Sequence, residues 1–124
     1  MQRTLLLLGS LFGFFGVALG AFGAHGLKNI LSPEMLAIFE TAVRYQMYHA
    51  LAIVGTALMS EKHPTAALAG RLFGFGIILF SGSLYALSLT GIRSFGIVTP
   101  FGGLSFLIGW GIFFSTAFKI QKEN

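Results

Sequence analysis

The sequence predicts an all-α integral membrane protein, a bundle of four transmembrane helices with both termini on the cytoplasmic side. Three observations predict it. Of 124 residues, 55% are hydrophobic and only 10% charged, and the mean hydropathy is +0.81; a soluble domain is about one-quarter charged, so this chain lacks the polar material to face water. Three prolines, Pro33, Pro64 and Pro100, divide it into apolar stretches near the roughly 20 residues that a spanning helix needs. The basic residues are also distributed unevenly across the resulting loops. Four spans consume the whole chain, so residues 1–124 read as a single membrane domain.

Helix 1 is expected over residues 4–24. Arg3 and the following apolar run resemble the start of a signal peptide, but the run is longer than a usual apolar region of about 7–15 residues and reads as a span. Proline is tolerated in the first helical turn, where its missing N–H has no intrahelical partner. Helix 2 therefore starts at Pro33, after the capping residue Ser32 and with Glu34 against the helix dipole, and runs over 33–60. Helix 3 starts at Pro64 and covers 64–90. The segment 91–98, with Arg93, Ser94 and Gly96, reads as a loop; helix 4 follows Thr99 as N-cap and covers 100–119. With four spans, Arg3, Lys62, Arg71, Lys119 and Lys122 share one side and only Lys28 and Arg93 the other. The richer side is cytoplasmic by the positive-inside rule, which also argues against dual topology.

Helix 1 carries Gly9, Gly13, Gly16, Gly20 and Gly23, spaced four, three, four, three. In lipid no hydrophobic force drives helices together, so bare backbone surfaces that approach closely supply the contact. The 3.5-residue period predicts a left-handed crossing and marks helix 1 as the expected central packing helix. Helix 3 offers Ala67, Gly70 and Gly74, and helix 4 offers Ser105 and Gly109. The tetrapeptide Leu-Phe-Gly-Phe occurs at 11–14 and 72–75, which a chain with 14 Phe and 17 Gly explains by chance as well as by duplication.

Helix 2 departs from the pattern. Glu40, Thr41, Arg44, Tyr45, Tyr48 and His49 fall on one half of its surface; Phe39, Val43 and Met47 line the other, where Gln46 is the one polar residue. The apolar remainder 47–60 is only about 21 Å long, too short to cross a core of about 30 Å, so part of the polar segment enters the bilayer. His49 is then near mid-membrane, Arg44 within snorkelling reach of the outer surface, and Glu40 at that surface. Glu40 and Arg44 are spaced to pair at i, i+4. Such a face either holds the bundle together or lines a polar path. His25 ends helix 1 at the outer surface. It is some 20 Å from His49 by helix rise, too far to share a haem iron with it, and His63 lies in the cytoplasmic loop.

The absence of cysteine excludes disulfides and thiolate chemistry. Basic residues scattered singly do not make a nucleic-acid footprint, and no carboxylate pair, nucleophile–base set or phosphate loop is present. No catalytic residue, metal or cofactor is therefore expected. Three segments resemble the transmembrane protein 256 family of small uncharacterised membrane proteins: Gly20–Leu27, Phe39–Leu51, and Thr99–Gly103 leading to Gly109 and Trp110. The resemblance implies a multi-span protein of the bacterial inner membrane and carries over no activity. It places His25, Glu40, Arg44, Tyr45 and His49 in the segments by which that family is recognised. The reading that follows is a non-enzymatic accessory, assembly or structural component of a membrane complex. Its partners are the lipid bilayer and either another membrane protein or further copies of itself. The alternative is a small oligomeric channel or transporter with the polar face of helix 2 lining the path.

Overall fold

The computed structural model describes residues 1–123, with side chains through Ile120; of Lys122, counted above toward orientation, only the backbone is described. Four long helices follow one another: α1 (Gln2–His25), α2 (Pro33–Met59), α3 (Pro64–Thr90) and α4 (Thr99–Glu123), with a 3₁₀ turn at Arg93–Ile97 before the last. Ser32 caps α2 as its sequence suggests, its Oγ accepting the Met35 N–H at 3.2 Å. Thr99 does not act as a cap. It is already the first helical residue, and its hydroxyl instead meets Ser83 Oγ at 2.6 Å, tying α4 to α3. Helix α3 ends at Gly91, whose φ of 74° is the left-handed conformation that side chains resist.

The packing order corrects one expectation. Helix α2, not α1, holds the middle: α1 packs along it on one side and α3 on another, while α4 packs against α3. Only 17% of the apolar window of α1 is buried, against 44% for α3. The glycine seam of α1 does close on a neighbour, but on one neighbour only. Gly9 faces Val54 and Ala50, Gly16 faces Met47, Gly20 faces Val43, and Gly23 lies on the Phe39 ring, whereas Gly13 meets nothing within 4 Å. The central place falls to α2 because Ala42, Ala50, Ala52 and Ala57 are buried along it, leaving room for helices on more than one side. Leu5, Ile53, Ala57, Phe73, Ile77 and Phe106 form the core where α1 to α4 converge.

Helix α3 is interrupted by one wide π turn at Ile77–Ser81. Such turns often mark sites under special constraint. Here Ser81 Oγ donates to the Ala42 carbonyl of α2 at 2.7 Å, and the Phe80 backbone presses on Gly102 of α4. Ser105 Oγ adds a bond to the Leu72 carbonyl at 2.7 Å, and Gly109 receives the Phe73 ring. Among the described residues, three segments are long and apolar enough to cross a membrane: Gln2–His25, Pro64–Thr90 and Arg93–Ile120. Their outward side chains, including Leu7, Phe14, Ile78, Leu107 and Phe114, are exposed and apolar, the surface that hydrocarbon and not water would cover. Helix α2 has 27 residues but is not among the three.

Candidate functional site

Two buried polar residues one turn apart on α2 tie it to all three other helices. Gln46 and His49 are each only 4% exposed. The Gln46 amide donates from Nε2 to the Phe12 carbonyl of α1 at 2.8 Å, and its Oε1 accepts the Tyr85 hydroxyl of α3 at 2.7 Å. His49 Nε2 accepts the indole N–H of Trp110 on α4 at 3.0 Å, while its Nδ1 lies 2.7 Å from the Tyr45 carbonyl. A carbonyl only accepts and an indole N–H only donates, so the two partners assign His49 to the neutral form protonated at Nδ1. Its ring lies flat on Phe106, centroids 3.5 Å apart and planes 8° from parallel. Among the described residues no buried side-chain nitrogen or oxygen lacks a hydrogen-bond partner. That satisfaction is what allows polar groups inside an apolar bundle.

Trp110 is the sole tryptophan, so this bond can be read directly. His49→Phe keeps a flat ring over Phe106 and removes the acceptor; Trp110 emission should move to shorter wavelength, because a bonded indole N–H stabilises the excited state. Unchanged emission would mean that the indole has no such acceptor.

Beside the knot, Tyr45, Phe80, Leu104, Phe106 and Trp110 line a cleft of about 520 Å³ between α2 and α4, open at the side of the bundle. The Tyr45 ring stands 4.6 Å from that of Phe80, and its hydroxyl has no hydrogen-bond partner among the described residues. The cleft is a place for a hydrocarbon chain or a ring more than for water.

The residues singled out from the sequence are separated by this arrangement. His49 is in the knot and Tyr45 at its edge. Glu40, Arg44 and Tyr48 are exposed on the outward face of α2. The expected Glu40–Arg44 pair is not formed: the ion pair among the described residues is Arg93–Glu34, 3.2 Å, joining the α3–α4 loop to the start of α2. The i, i+4 spacing puts both residues on one face of α2 without fixing their rotamers, so spacing alone does not bring the two charged ends together. His25 is exposed at the end of α1. Gly23 near it packs on Phe39, a level about 15 Å along α2 from His49. Among the described residues no three His, Asp or Glu side chains gather as metal ligands. Gln46 was overlooked as a site residue, and the available signal was its isolation on the otherwise apolar side of α2.

Comparison with known proteins agrees with this picture of an apolar bundle. A family model described as "Protein of unknown function (DUF423)" matches residues 19–103, from the end of α1 into α4. A UPF0382 membrane protein of Staphylococcus saprophyticus is 44% identical over 120 residues, which is 96% of this chain and 100% of the relative. The UPF0382 membrane protein YwdK of Bacillus subtilis is 42% identical over 112 residues, 88% of this chain and 91% of its own. The UPF0382 inner membrane protein YgdD of Escherichia coli is 37% identical over 125 residues, 99% and 95% respectively. No solved structure matches. With a family model across most of its length and relatives matched nearly end to end, the chain belongs to the DUF423 family, the UPF0382 membrane proteins.

Proposed function

We propose that this protein is a non-enzymatic component of an inner-membrane assembly, crossing the membrane four times with both termini in the cytoplasm. The fourth crossing rests on register. Gly9 meets Val54, Gly16 meets Met47 and Gly23 meets Phe39, so α2 runs antiparallel beside α1 for its whole length, and whatever α1 crosses α2 crosses too. Orientation rests on Arg3, Lys62 and Arg71 gathering at one end, where the Arg71 guanidinium approaches Met1 Sδ at 3.3 Å, against Lys28 and Arg93 at the other. The inner-membrane placement follows the name of the Escherichia coli relative. The likeness to the transmembrane protein 256 family supports the same reading and offers no catalytic residue.

The single observation that carries the function is the division of polar groups. Among the described residues every buried side-chain nitrogen and oxygen has a hydrogen-bond partner, so the interior of the bundle offers no unengaged polar group to line a path. Glu40, Arg44 and Tyr48 instead point outward, where they act on a neighbour. Gentle extraction of a C-terminally tagged chain from native membranes should recover stoichiometric other proteins; recovery of this chain alone would overturn the reading. The outward face also suits the alternative, a path between copies. Flux into liposomes that Glu40→Gln and Arg44→Gln both abolish would establish that alternative instead.

A further inference from the structure

We propose that two copies pair in the membrane through the open face shared by α1 and α2, with Glu40 of each copy bonded to Arg44 of the other. This goes beyond the accessory reading and stands without it. The face is a groove running along the two helices. Its outer part, about 270 Å³, is lined by Gly20, Gly23, Glu40, Val43 and Arg44. Its longer inner part, about 590 Å³, is lined by Gly13, Val17, Met47, Leu51 and Val54 among others. The opposite side of the α1–α2 pair is covered by α3; this side is covered by none of the other described helices, and a Cβ on Gly13 would meet open space.

The charges choose the occupant. Gly20 packs on Val43, so Arg44 lies level with a point about five residues, or about 8 Å, inside the outer end of α1. A guanidinium at that depth reaches water only by snorkelling unless it is paired, and among the described residues it has no ion-pair partner: Glu34 is taken by Arg93, Glu61 lies at the other end of the bundle, and Glu40, one turn away on the same helix, is not within ion-pair distance. A two-fold axis along the membrane normal keeps every residue at the same depth in both copies. Arg44 then faces, one turn or about 6 Å higher, Glu40 of the second copy, and the same contact repeats in reverse. One patch carrying one positive and one negative charge is thereby self-complementary, as an isologous interface requires. A lipid phosphate would satisfy Arg44 and leave Glu40 unpaired.

The natural chain has no cysteine, so single thiols can be placed at will. Val17→Cys and Leu51→Cys lie on the proposed face, and Phe75→Cys lies exposed on α3 as a control. Oxidation in native membranes should convert at least one of the first two to a species of twice the chain mass and leave the control monomeric. In that cysteine background Arg44→Glu alone, and Glu40→Arg alone, should each lower the dimer yield at least fivefold. The two exchanges together should restore it, with Trp110 emission unchanged throughout as the check on folding. No dimer at either position, or equal yields in all charge variants, overturns the proposal. A crosslink to a different protein also overturns it while favouring the accessory reading. A charge-dependent dimer extracted without other proteins keeps this proposal and removes that reading.

Discussion

Gly102→Ala should be among the most damaging single-methyl changes in this protein, lowering its stability in mild detergent by about 1–3 kcal/mol. A Cβ there would lie on the backbone of Phe80, 2.8 Å from its Cα and closer still to its nitrogen. Backbone inside a helix cannot swing away as a side chain does, so α4 must move off α3. That movement lengthens the Ser105 bond to Leu72 and the Ser83 contact with Thr99, and it opens the cleft wall at Phe80. The same methyl at Gly16 meets the tip of Met47, a flexible neighbour, and at Gly13 it meets nothing. Thermal unfolding should therefore rank Gly102→Ala below Gly16→Ala, and Gly16→Ala below Gly13→Ala, which should match the wild type. The bulkier Gly16→Leu should disrupt the α1–α2 contact outright. Equal melting of Gly102→Ala and the wild type would mean that α4 does not approach the π turn this closely.

The close approach at Gly102 is not legible in the sequence, whereas the helix starts are. Backbone chemistry is local, so the helix starts are legible at the prolines: α2 is Pro33–Met59 and α3 is Pro64–Thr90. The glycine period identified the bare face of α1 but not the helix that would meet it, since period is a property of one helix and contact a property of two. The π turn at Ile77–Ser81 leaves no periodic trace. On α2, polarity located an unusual helix without saying which groups turn inward. In water the polar half of a helix faces out; in an apolar bundle the hydrogen-bond partners decide which polar groups turn inward. Gln46 found the Phe12 carbonyl and the Tyr85 hydroxyl, and His49 found Trp110, so they are inside. Glu40 and Arg44 found none there and stayed outside.

Gln46→Leu tests that account directly. The shape is nearly kept, so the loss should come from polarity and not from a cavity. The Phe12 carbonyl loses an extra donor but belongs to an intact helix, a modest cost. The Tyr85 hydroxyl is left without its acceptor in the interior, which costs about 1–3 kcal/mol, and interhelical bonds in membranes add about 0.6 kcal/mol each on average. The variant should therefore be about 2–3 kcal/mol less stable. Tyr85→Phe in the same background removes the stranded hydroxyl and should recover part of the loss, giving a coupling of about 1 kcal/mol in the double-mutant cycle. Strict additivity would mean that Gln46 and Tyr85 do not bond. Trp110 reports on the neighbouring turn: its emission should hold in Gln46→Leu below the melting temperature, because His49 still joins α2 to α4. A shift in Trp110 without any loss of stability would instead make Gln46 a positioning residue for the aromatic cleft, and the knot would be tuned for what the cleft holds more than for keeping the helices together.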